Sequence, residues 1–369
     1  ADLRIGISTI REKWQKQLDQ NIFVYTQEHL QHDTLPVNGP ILYINSSLIP
    51  NQNIVETILD LKNGESLIYK DKVLALSSQE ILKSIDIINL KNKKTWKGDA
   101  ILIQRPWDLF HINGKVLESD FKLFTKDKSS ASLSNTNTLI GESIFIEEGA
   151  TIEGASINTL KGPVYIGKDA EVMEGSLIRG GLALCNNATL KLGAKIYGPT
   201  TIGPYCKIGG EVSNSVFLGF SNKGHDGFVG NSVIGQWCNL GADTNTSNLK
   251  NNYAEVRLWD YTKESFGKTG LQFCGLIMGD HSKCGINTMF NTGTVVGVCA
   301  NIFGEGFPRN FIPSFSWGGK QGFITYKFEK VIEVAEIVMK RRNMTLTKAD
   351  KNILQNIFNE TAQFRSWEK

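Results

Sequence analysis

The chain has 369 residues, enough for two or three structural units, and 21% of them are charged. The net charge of +3 is too small to predict binding to nucleic acid or to a membrane surface. No stretch reaches the roughly 18 apolar residues of a membrane span. No secretion signal is recognisable, although the chain opens on Ala1 rather than methionine, which is compatible with absent sequence upstream. We therefore expect a cytoplasmic protein.

Residues 1–130 contain no repeat and predict a small α/β unit. The predicted elements are strands at 21–26, 41–45 and 100–104, a helix at 54–62 capped by Gly64, and a hairpin of 66–69 with 72–76. Pro106 predicts the first turn of a further helix, a position that suits proline. The polar, serine-rich stretch 125–136 is interpreted as a linker.

A six-residue repeat extends from about residue 137 to residue 306. Every sixth residue is apolar in four runs: Ile166, Val172, Ile178, Leu184, Leu190, Ile196, Ile202 and Ile208; Met278, Cys284, Phe290, Val296 and Ile302; Phe228, Ile234 and Leu240; Ile140, Ile146 and Ile152. This period fits neither a single strand nor an α-helix. It predicts a mainly β fold, a parallel β-helix whose triangular coils each have three short strands with the apolar residues inside.

Glycine and small residues follow the same spacing. The residue after the apolar one is often glycine, for which we expect a positive φ at a corner: Gly141, Gly167, Gly203, Gly209, Gly235, Gly241, Gly279, Gly285 and Gly297. Small residues recur four positions after the apolar one, and Cys206 and Cys238 are among them. None of the six cysteines forms a C-x-x-C pair, so we expect reduced, structural thiols.

Residues 307–369 predict a loop followed by two helices. An apolar helical face is formed by Phe328, Val331, Ile332, Ala335 and Val338. Thr347 and Asp350 have the spacing of a capping box at the start of the second helix. The basic residues 340–342 between the helices are interpreted as a solvated helix end rather than a phosphate site.

Histidine is scarce, and one histidine lies in the repeat beside two apolar runs. The five are His29, His32, His111, His225 and His281. Residues 224–244, GHDGFVGNSVIGQWCNLGADT, resemble the acetyltransferase half of the bifunctional GlmU enzymes in their Gly-His pair, the aromatic residue after it and the Ile-Gly and Leu-Gly-Ala steps. The resemblance covers about residues 137–306. It implies a left-handed β-helix, a homotrimer, and acetyl-CoA or another acyl-CoA as co-substrate.

The resemblance also implies roles for individual residues. His225 matches the general base that takes a proton from the attacking amine, a task for which imidazole is suited near neutral pH. Asn239 matches a sugar contact, Ala242 a corner whose backbone amide faces the acyl group, and Asn248 a polar residue near the base. The alternative for His225 is a corner histidine held by local hydrogen bonds. His281 is interpreted as an exposed corner residue.

Three departures from the family leave the acceptor open. Phe228 stands where the family has a tyrosine, and residues 211–214 replace a lysine-rich coil that grips phosphate. The long polar excursion 247–273, with Arg257, Trp259 and Lys268, interrupts the repeat. It is interpreted either as a lid over a neighbouring subunit or as a strap in a trimer.

The N-terminal unit resembles sugar-1-phosphate nucleotidyltransferases. Residues 41–50, ILYINSSLIP, resemble the strand that ends in Asn-Gly-Asp, where the aspartate holds magnesium. Ser47 takes that position, and no glycine-rich nucleotide loop is visible. Residues 105–109, RPWDL, resemble the helix that joins the halves of reduced GlmU-like proteins. We expect a reduced, vestigial or weak nucleotidyltransferase half that needs Mg²⁺ only if it is active.

These observations favour an acyltransferase that N-acetylates an amino-sugar phosphate or a nucleotide sugar. The alternative is a non-catalytic protein that binds sugar nucleotides or acts as a scaffold, and binding of CoA separates the two. A zinc enzyme on the same fold needs three histidine ligands, whereas only His225 and His281 lie in the repeat, so no metal site is predicted there.

Overall fold

The computed structural model describes residues 1–27, 30–31, 39–82 and 90–368. They form two compact units, one of Ala1–Leu3 and Ser8–Arg105, the other of Arg4–Ile7 and Pro106–Lys369. His29 and His32 lie outside the described residues. Within the described part of the chain, no helix is long and apolar enough to cross a membrane.

In its described residues, the first unit consists of two helices and several short strands. Its helices are α1 (Ile10–Leu18) and α2 (Gln52–Leu59). Its strands are Ser8–Thr9, Ile41–Ile44, Leu48–Ile49, Glu65–Tyr69, Lys72–Ser78, Asn92–Thr95 and Ile101–Leu102. Four of them form a sheet in the order Ile41–Ile44, Lys72–Ser78, Glu65–Tyr69, Asn92–Thr95. The predicted hairpin is confirmed, since its two strands pair antiparallel.

Two predictions for this unit were wrong, and one strand was not predicted. Residues 21–26 form no strand, because the backbone of Val24 and Thr26 bonds to the side chain of Gln31 instead of a neighbouring strand. Gly64 does not cap α2, which ends at Leu59; its φ of 78° serves the turn before the next strand. The strand Asn92–Thr95 was missed, because all four of its residues are exposed and it has no apolar alternation.

The second unit contains the predicted parallel β-helix, built as three faces. Face 1 consists of Ile144–Ile146, Val164–Ile166, Leu182–Leu184, Thr200–Ile202, Val216–Gly219, Val233–Gln236, Leu276–Met278, Thr294–Val296 and Phe311–Ile312. Face 2 consists of Thr151–Ile152, Glu171–Val172, Thr189–Leu190, Lys207–Ile208, Asn222–Lys223, Asn239–Leu240, Lys283–Cys284, Asn301–Ile302 and Ser316–Gly319, closed by the antiparallel Gly322–Thr325. Face 3 consists of Thr138–Ile140, Ser156–Asn158, Leu177–Arg179, Lys195–Tyr197, Glu211–Ser213 and Phe228–Gly230, followed by the paired Asn245–Thr246 and Met289–Phe290. The mainly β fold class is therefore confirmed, and parallel pairing continues past residue 306 to Gly318.

The stacked apolar residues form the core of this β-helix. All eight residues of the run from Ile166 to Ile208 are at most 2% exposed, as the repeat predicts. Two predicted inward residues are out of register. Val229, not Phe228, faces the interior opposite Val212, and Leu139, not Ile140, pairs with Ile157. Not every corner has the same length, so a strict six-residue count slips by one there.

The glycine after the apolar residue serves close stacking rather than a positive φ. Of the nine glycines for which a positive φ was expected, only Gly141 has one. At Gly241 a Cβ would lie 2.4 Å from the carbonyl carbon of Gly285 in the next coil, so no side chain fits. The positive φ occurs two residues later and at non-glycine residues, as at Asp243 (56°) and His281 (59°).

Helices flank the β-helix in the second unit, which also contains the short strand Arg4–Ile5. They are α3 (Asp108–His111), α4 (Asn113–Thr125), α5 (Phe328–Lys340), α6 (Lys348–Glu360) and the 3₁₀ turns Ala362–Phe364 and Ser366–Glu368. The capping box of Thr347 and Asp350 is confirmed at the start of α6. The helices α5 and α6 cover the corner between faces 1 and 2 through a shared cluster of Trp237, Cys299, Phe315, Val331, Ala335, Met339, Leu346 and Leu354. Of the basic residues 340–342, Arg342 donates hydrogen bonds to Tyr205 and Asn222.

Candidate active site

The corner between faces 2 and 3 brings together two of the predicted site residues. We call it the site corner; it comprises residues 209–210, 224–227, 241–244 and 285–288 of successive coils. His225 follows the inward residue Lys223 by two positions, and Ala242 follows the inward residue Leu240 by two. They therefore occupy equivalent places in adjacent coils.

Backbone hydrogen bonds fix this stacking. The N–H of Asp243 donates to the carbonyl of Asp226 at 3.0 Å, which ties the turn 241–244 to the turn 224–227. One coil further, the N–H of Asn287 donates to the carbonyl of Ala242 at 2.8 Å. The His225 turn thus lies between the short corner 209–210 and the Ala242 turn.

The imidazole of His225 is exposed to solvent. Among the described residues it has no side-chain hydrogen-bond partner, so the alternative of a locally bonded corner histidine has no such bond to support it. The carbonyl of His225 accepts a hydrogen bond from Lys223 Nζ at 2.7 Å. The ring is free to meet a substrate while its backbone is held.

The backbone N–H of Ala242 has no hydrogen-bond partner in the described part of the chain. It shares this property with the N–H of Ile286, which holds the equivalent place one coil further. An unpaired amide at an open corner can donate to an oxygen that becomes negatively charged. Only the amide of Ala242 has a histidine at the equivalent place of the preceding coil.

Asn239 is exposed on face 2, next to the site corner. It pairs with Asn222 in the preceding coil and with Lys283 in the following one, so these side chains form an outward-facing row. The amide of Asn239 is therefore available to a ligand at the site corner.

Asn248 lies at the other end of face 3. Its Nδ2 donates to Asn231 Oδ1 at 2.8 Å, just after the strand Phe228–Gly230, whereas His225 precedes that strand. The Phe228 ring and the Asn248 amide crowd Gly230, where a Cβ would lie 2.5 Å and 2.6 Å from them. No described contact within the chain joins Asn248 to His225.

The excursion folds into a hairpin, Arg257–Asp260 with Ser265–Lys268. The Trp259 ring stacks on Phe311 of face 1, with centroids 4.1 Å apart, and meets the edge of Phe364. The guanidinium of Arg257 donates to the carbonyl of Phe266 within the hairpin. The hairpin is thus anchored on later coils of its own chain.

The interpretation of His281 as an exposed corner residue was wrong. Its ring stacks on Trp237 with centroids 6.2 Å apart, at the end of a row of rings that continues through Phe220 and Tyr205. Its Nδ1 is buried and has no hydrogen-bond partner among the residues that the structure describes. Burial, together with a smaller effect of the charge on Lys283, lowers the pKa of His281 to about 4. His281 therefore belongs to the packed corner beneath α5 and α6.

In the first unit, the hydroxyl of Ser47 is engaged locally. It donates to Asn45 Oδ1 at 2.8 Å, and the Asn45 amide in turn donates to the carbonyl of Val73 at 2.9 Å. Beside this turn lies a cavity of about 900 Å³, lined mainly by apolar side chains that include Trp14, Phe23 and Tyr43. A hydroxyl in this place is a weaker Mg²⁺ ligand than a carboxylate.

The cysteines and acidic groups assemble no metal centre within the described ranges, where no cluster of three or more His, Cys, Asp or Glu side chains occurs. All six cysteines are buried, and no disulfide bond joins any two of them. Burial raises the pKa of the Cys206 and Cys274 thiols to about 12. Cys206 and Cys238 lie in the stacked core, as predicted.

Sequence reasoning missed Lys223, which bonds directly to the backbone of His225. A signal was present, because Lys223 precedes Val229 by six residues and follows Phe217 by six, which places it in the inward column.

The fold and the site corner define a hexapeptide-repeat β-helix protein with an exposed histidine at a coil corner. Residues 1–129 match the family model described as sugar nucleotidyl transferase. The chain is 28% identical to the bifunctional sugar-1-phosphate nucleotidylyltransferase/acetyltransferase of Sulfurisphaera tokodaii, over 69% of this chain and 59% of that protein. It is 27% identical to the bifunctional protein GlmU of Methanococcus aeolicus, over 88% and 66%, and 28% identical to that of Methanocaldococcus jannaschii, over 76% and 59%.

These similarities confirm the predicted resemblance to the GlmU-like bifunctional proteins, with a nucleotidyltransferase-like N-terminal unit. The chain spans about three fifths to two thirds of the length of these relatives.

Proposed function

We propose that this protein is an acyl-CoA-dependent N-acyltransferase, which acetylates the amine of an amino-sugar phosphate or a nucleotide sugar. The observation that carries the proposal is the pairing at the site corner of an exposed imidazole, His225, with the unpaired amide of Ala242 at the equivalent place in the next coil. Either group alone is unremarkable on such a fold, whereas together they supply the two functions that acyl transfer requires.

The reaction assigns a task to each group. The amine nitrogen forms a bond to the thioester carbon, and its proton passes to His225. The thioester oxygen becomes negatively charged and accepts a hydrogen bond from the N–H of Ala242. The carbon–sulfur bond then breaks, and the proton returns from His225 to the CoA thiolate. The products are an amide and free CoA.

The acceptor class follows from the relatives and from the N-terminal unit. The Sulfurisphaera tokodaii relative carries sugar-1-phosphate nucleotidylyltransferase and acetyltransferase in its name, and residues 1–129 match a sugar nucleotidyl transferase family. Asn239, exposed beside the site corner, is proposed to contact the sugar. Asn248 is proposed to do so across a subunit boundary of a homotrimer, because it lies away from His225 in its own chain. The assembly is proposed to work in the cytoplasm.

The N-terminal unit is proposed to be vestigial as a nucleotidyltransferase. Ser47 replaces a carboxylate and is bonded to Asn45, so the magnesium site of an active enzyme is weakened here. Mg²⁺ belongs to the proposal only if this unit is active.

The experiment is a thermal-shift screen of amino-sugar phosphates and nucleotide sugars in the presence of CoA, followed by acetyl transfer to each stabilising amine. Release of free CoA that depends on the amine supports the proposal. Absence of CoA binding to the unmutated protein, measured by calorimetry, overturns it and favours the non-catalytic scaffold.

A further inference from the structure

Lys223 lies in the stack of inward-facing residues of face 2, where the neighbouring side chains are apolar. Its neighbours along the inside of face 2 include Leu190, Ile208, Leu240 and Cys284. The lysine is 1% exposed. Burying an ammonium group costs free energy unless hydrogen bonds compensate it, so a lysine here requires a specific cause.

The local shape of the site corner makes room for this side chain. Between faces 2 and 3 the turns 224–227, 241–244 and 285–288 have four residues each, whereas the turn 209–210 has two. The small interior residue found at Thr244 and Thr288 is Gly227 in the turn after Lys223. In the short turn, Gly210 also lacks a side chain, and a Cβ there would lie 2.8 Å from Lys223 Nζ, so the end of the lysine side chain occupies the space beside this glycine.

The hydrogen bonding of His225 also differs from that of the regular corners. In the regular corners, the carbonyl two positions after the inward residue accepts from the next coil, as Ala242 does from Asn287 at 2.8 Å and Asp280 from Cys299 at 2.8 Å. At the His225 turn, the N–H of Asp243 donates to the carbonyl of Asp226 instead of the carbonyl of His225.

Lys223 supplies the missing donor. Its Nζ donates to the carbonyl of His225 at 2.7 Å and to the carbonyl of Gly209, in the short turn, at 3.1 Å. The His225 carbonyl faces Gly210, where a Cβ would lie 2.8 Å from it. The ammonium thus joins the short turn to the His225 turn.

The charges around Lys223 agree with this role. Burial lowers the pKa of Lys223 to about 8, while the carboxylates of Asp226 and Asp243 and the thiol of Cys284 act in the opposite direction. The amine is therefore mostly an ammonium at neutral pH, and hydrogen bonds from a charged donor are the stronger kind.

We propose that Lys223 is a positioning residue, which holds the carbonyl of His225 and so fixes the turn that presents the imidazole. This inference rests on the proposed acyltransferase function. It extends that function by naming a buried group that does not touch the substrate but determines where the base lies.

The test compares Lys223→Met and Lys223→Leu with Leu190→Met, a matched change in the same column away from the site corner. Both Lys223 variants are expected to lose about ten- to a hundredfold in kcat, because the base is no longer held in place. The KM for acetyl-CoA should stay within about twofold, since Ala242 is untouched. Leu190→Met should retain wild-type kcat.

The order of the His225 turn gives a second readout that does not depend on turnover. The imidazole NMR signal of His225 should broaden or split in the Lys223 variants and stay single in Leu190→Met. Full kcat with a single His225 signal in Lys223→Leu would overturn the proposal, as would loss of the folded state in both Lys223 variants. If the unmutated protein transfers no acetyl group, the proposed function fails, and the NMR comparison still decides whether Lys223 orders the turn.

Discussion

The N–H of Asp243 donates to the carbonyl of Asp226 at 3.0 Å, one residue out of step with the bond from Asn287 to Ala242 in the next coil. This bond joins the turn of Ala242 to the turn of His225, and it leaves the His225 carbonyl to Lys223. The site corner is therefore the place where the repeat departs from its own regularity. Such local irregularity on a rigid scaffold is typical of functional sites.

The first prediction concerns the base. His225→Ala should lower kcat by about a hundredfold or more, because a positioned base contributes about a hundred- to ten-thousandfold in rate. CoA affinity, measured by calorimetry, should be nearly unchanged. His281→Phe is the control and should keep wild-type turnover, since His281 is packed on Trp237. Near-full turnover of His225→Ala would show that another residue is the base or that the protein has none.

The second prediction concerns the Ala242 amide. Ala242→Pro removes this N–H with little other change, because Pro204 occupies the same place of a comparable corner whose Tyr205 (φ 59°) corresponds to Asp243 (φ 56°). The variant should lose about a hundredfold in kcat, the effect of one oxyanion donor. Ile286→Pro, one coil further, is the matched control and should stay active. Equal losses in both variants would show that proline disturbs the corner itself.

The third prediction concerns the N-terminal unit. Incubation with UTP and sugar 1-phosphates should release no detectable pyrophosphate, because the Ser47 hydroxyl is bonded to Asn45 and is a poor Mg²⁺ ligand. A coupled pyrophosphate assay with and without Mg²⁺ measures this. Robust magnesium-dependent release would make the unit a working nucleotidyltransferase.

The fourth prediction concerns acid stability. The pKa of His281 is lowered from 6.5 to about 4 by burial, so the unfolded chain binds this proton first as the pH falls. The folded state should lose up to about 3 kcal/mol between pH 6.5 and pH 4 through this residue. His281→Phe should remove that part of the loss, because a phenylalanine side chain does not titrate. The substitution should fit the backbone, since Phe220 and Phe315 adopt the same positive φ. Denaturant unfolding at both pH values measures it, and identical pH dependence of the two proteins would contradict the assignment.

The fifth prediction concerns assembly. The protein should form a homotrimer, because Asn248 can serve a site with His225 only if a second chain completes it. Light scattering at micromolar concentration should give three times the mass of the chain. A monomer mass would reject the trimer and remove Asn248 from the proposed site.

Part of the candidate site was predictable from the sequence. The Gly-His pair and the Leu-Gly-Ala step identified His225 and Ala242, and the structure places them at equivalent positions of adjacent coils. Asn248 was expected near the base and lies at the far end of face 3. Sequence spacing could not show this, because the strand Phe228–Gly230 and the turn after it separate the two residues in space.

The sequence by itself determined the β-helix, because a side chain that must enter the narrow interior at every sixth position leaves an unmistakable apolar period. It also determined the capping box at Thr347, since that motif is local. The tertiary structure alone decided the register at Val229, the burial of His281 and the bond from Lys223 to His225. Each of these depends on how one coil stacks on the next, and a two-residue shortening at Gly209 and Gly210 changes that stacking without disturbing the apolar period elsewhere in the chain.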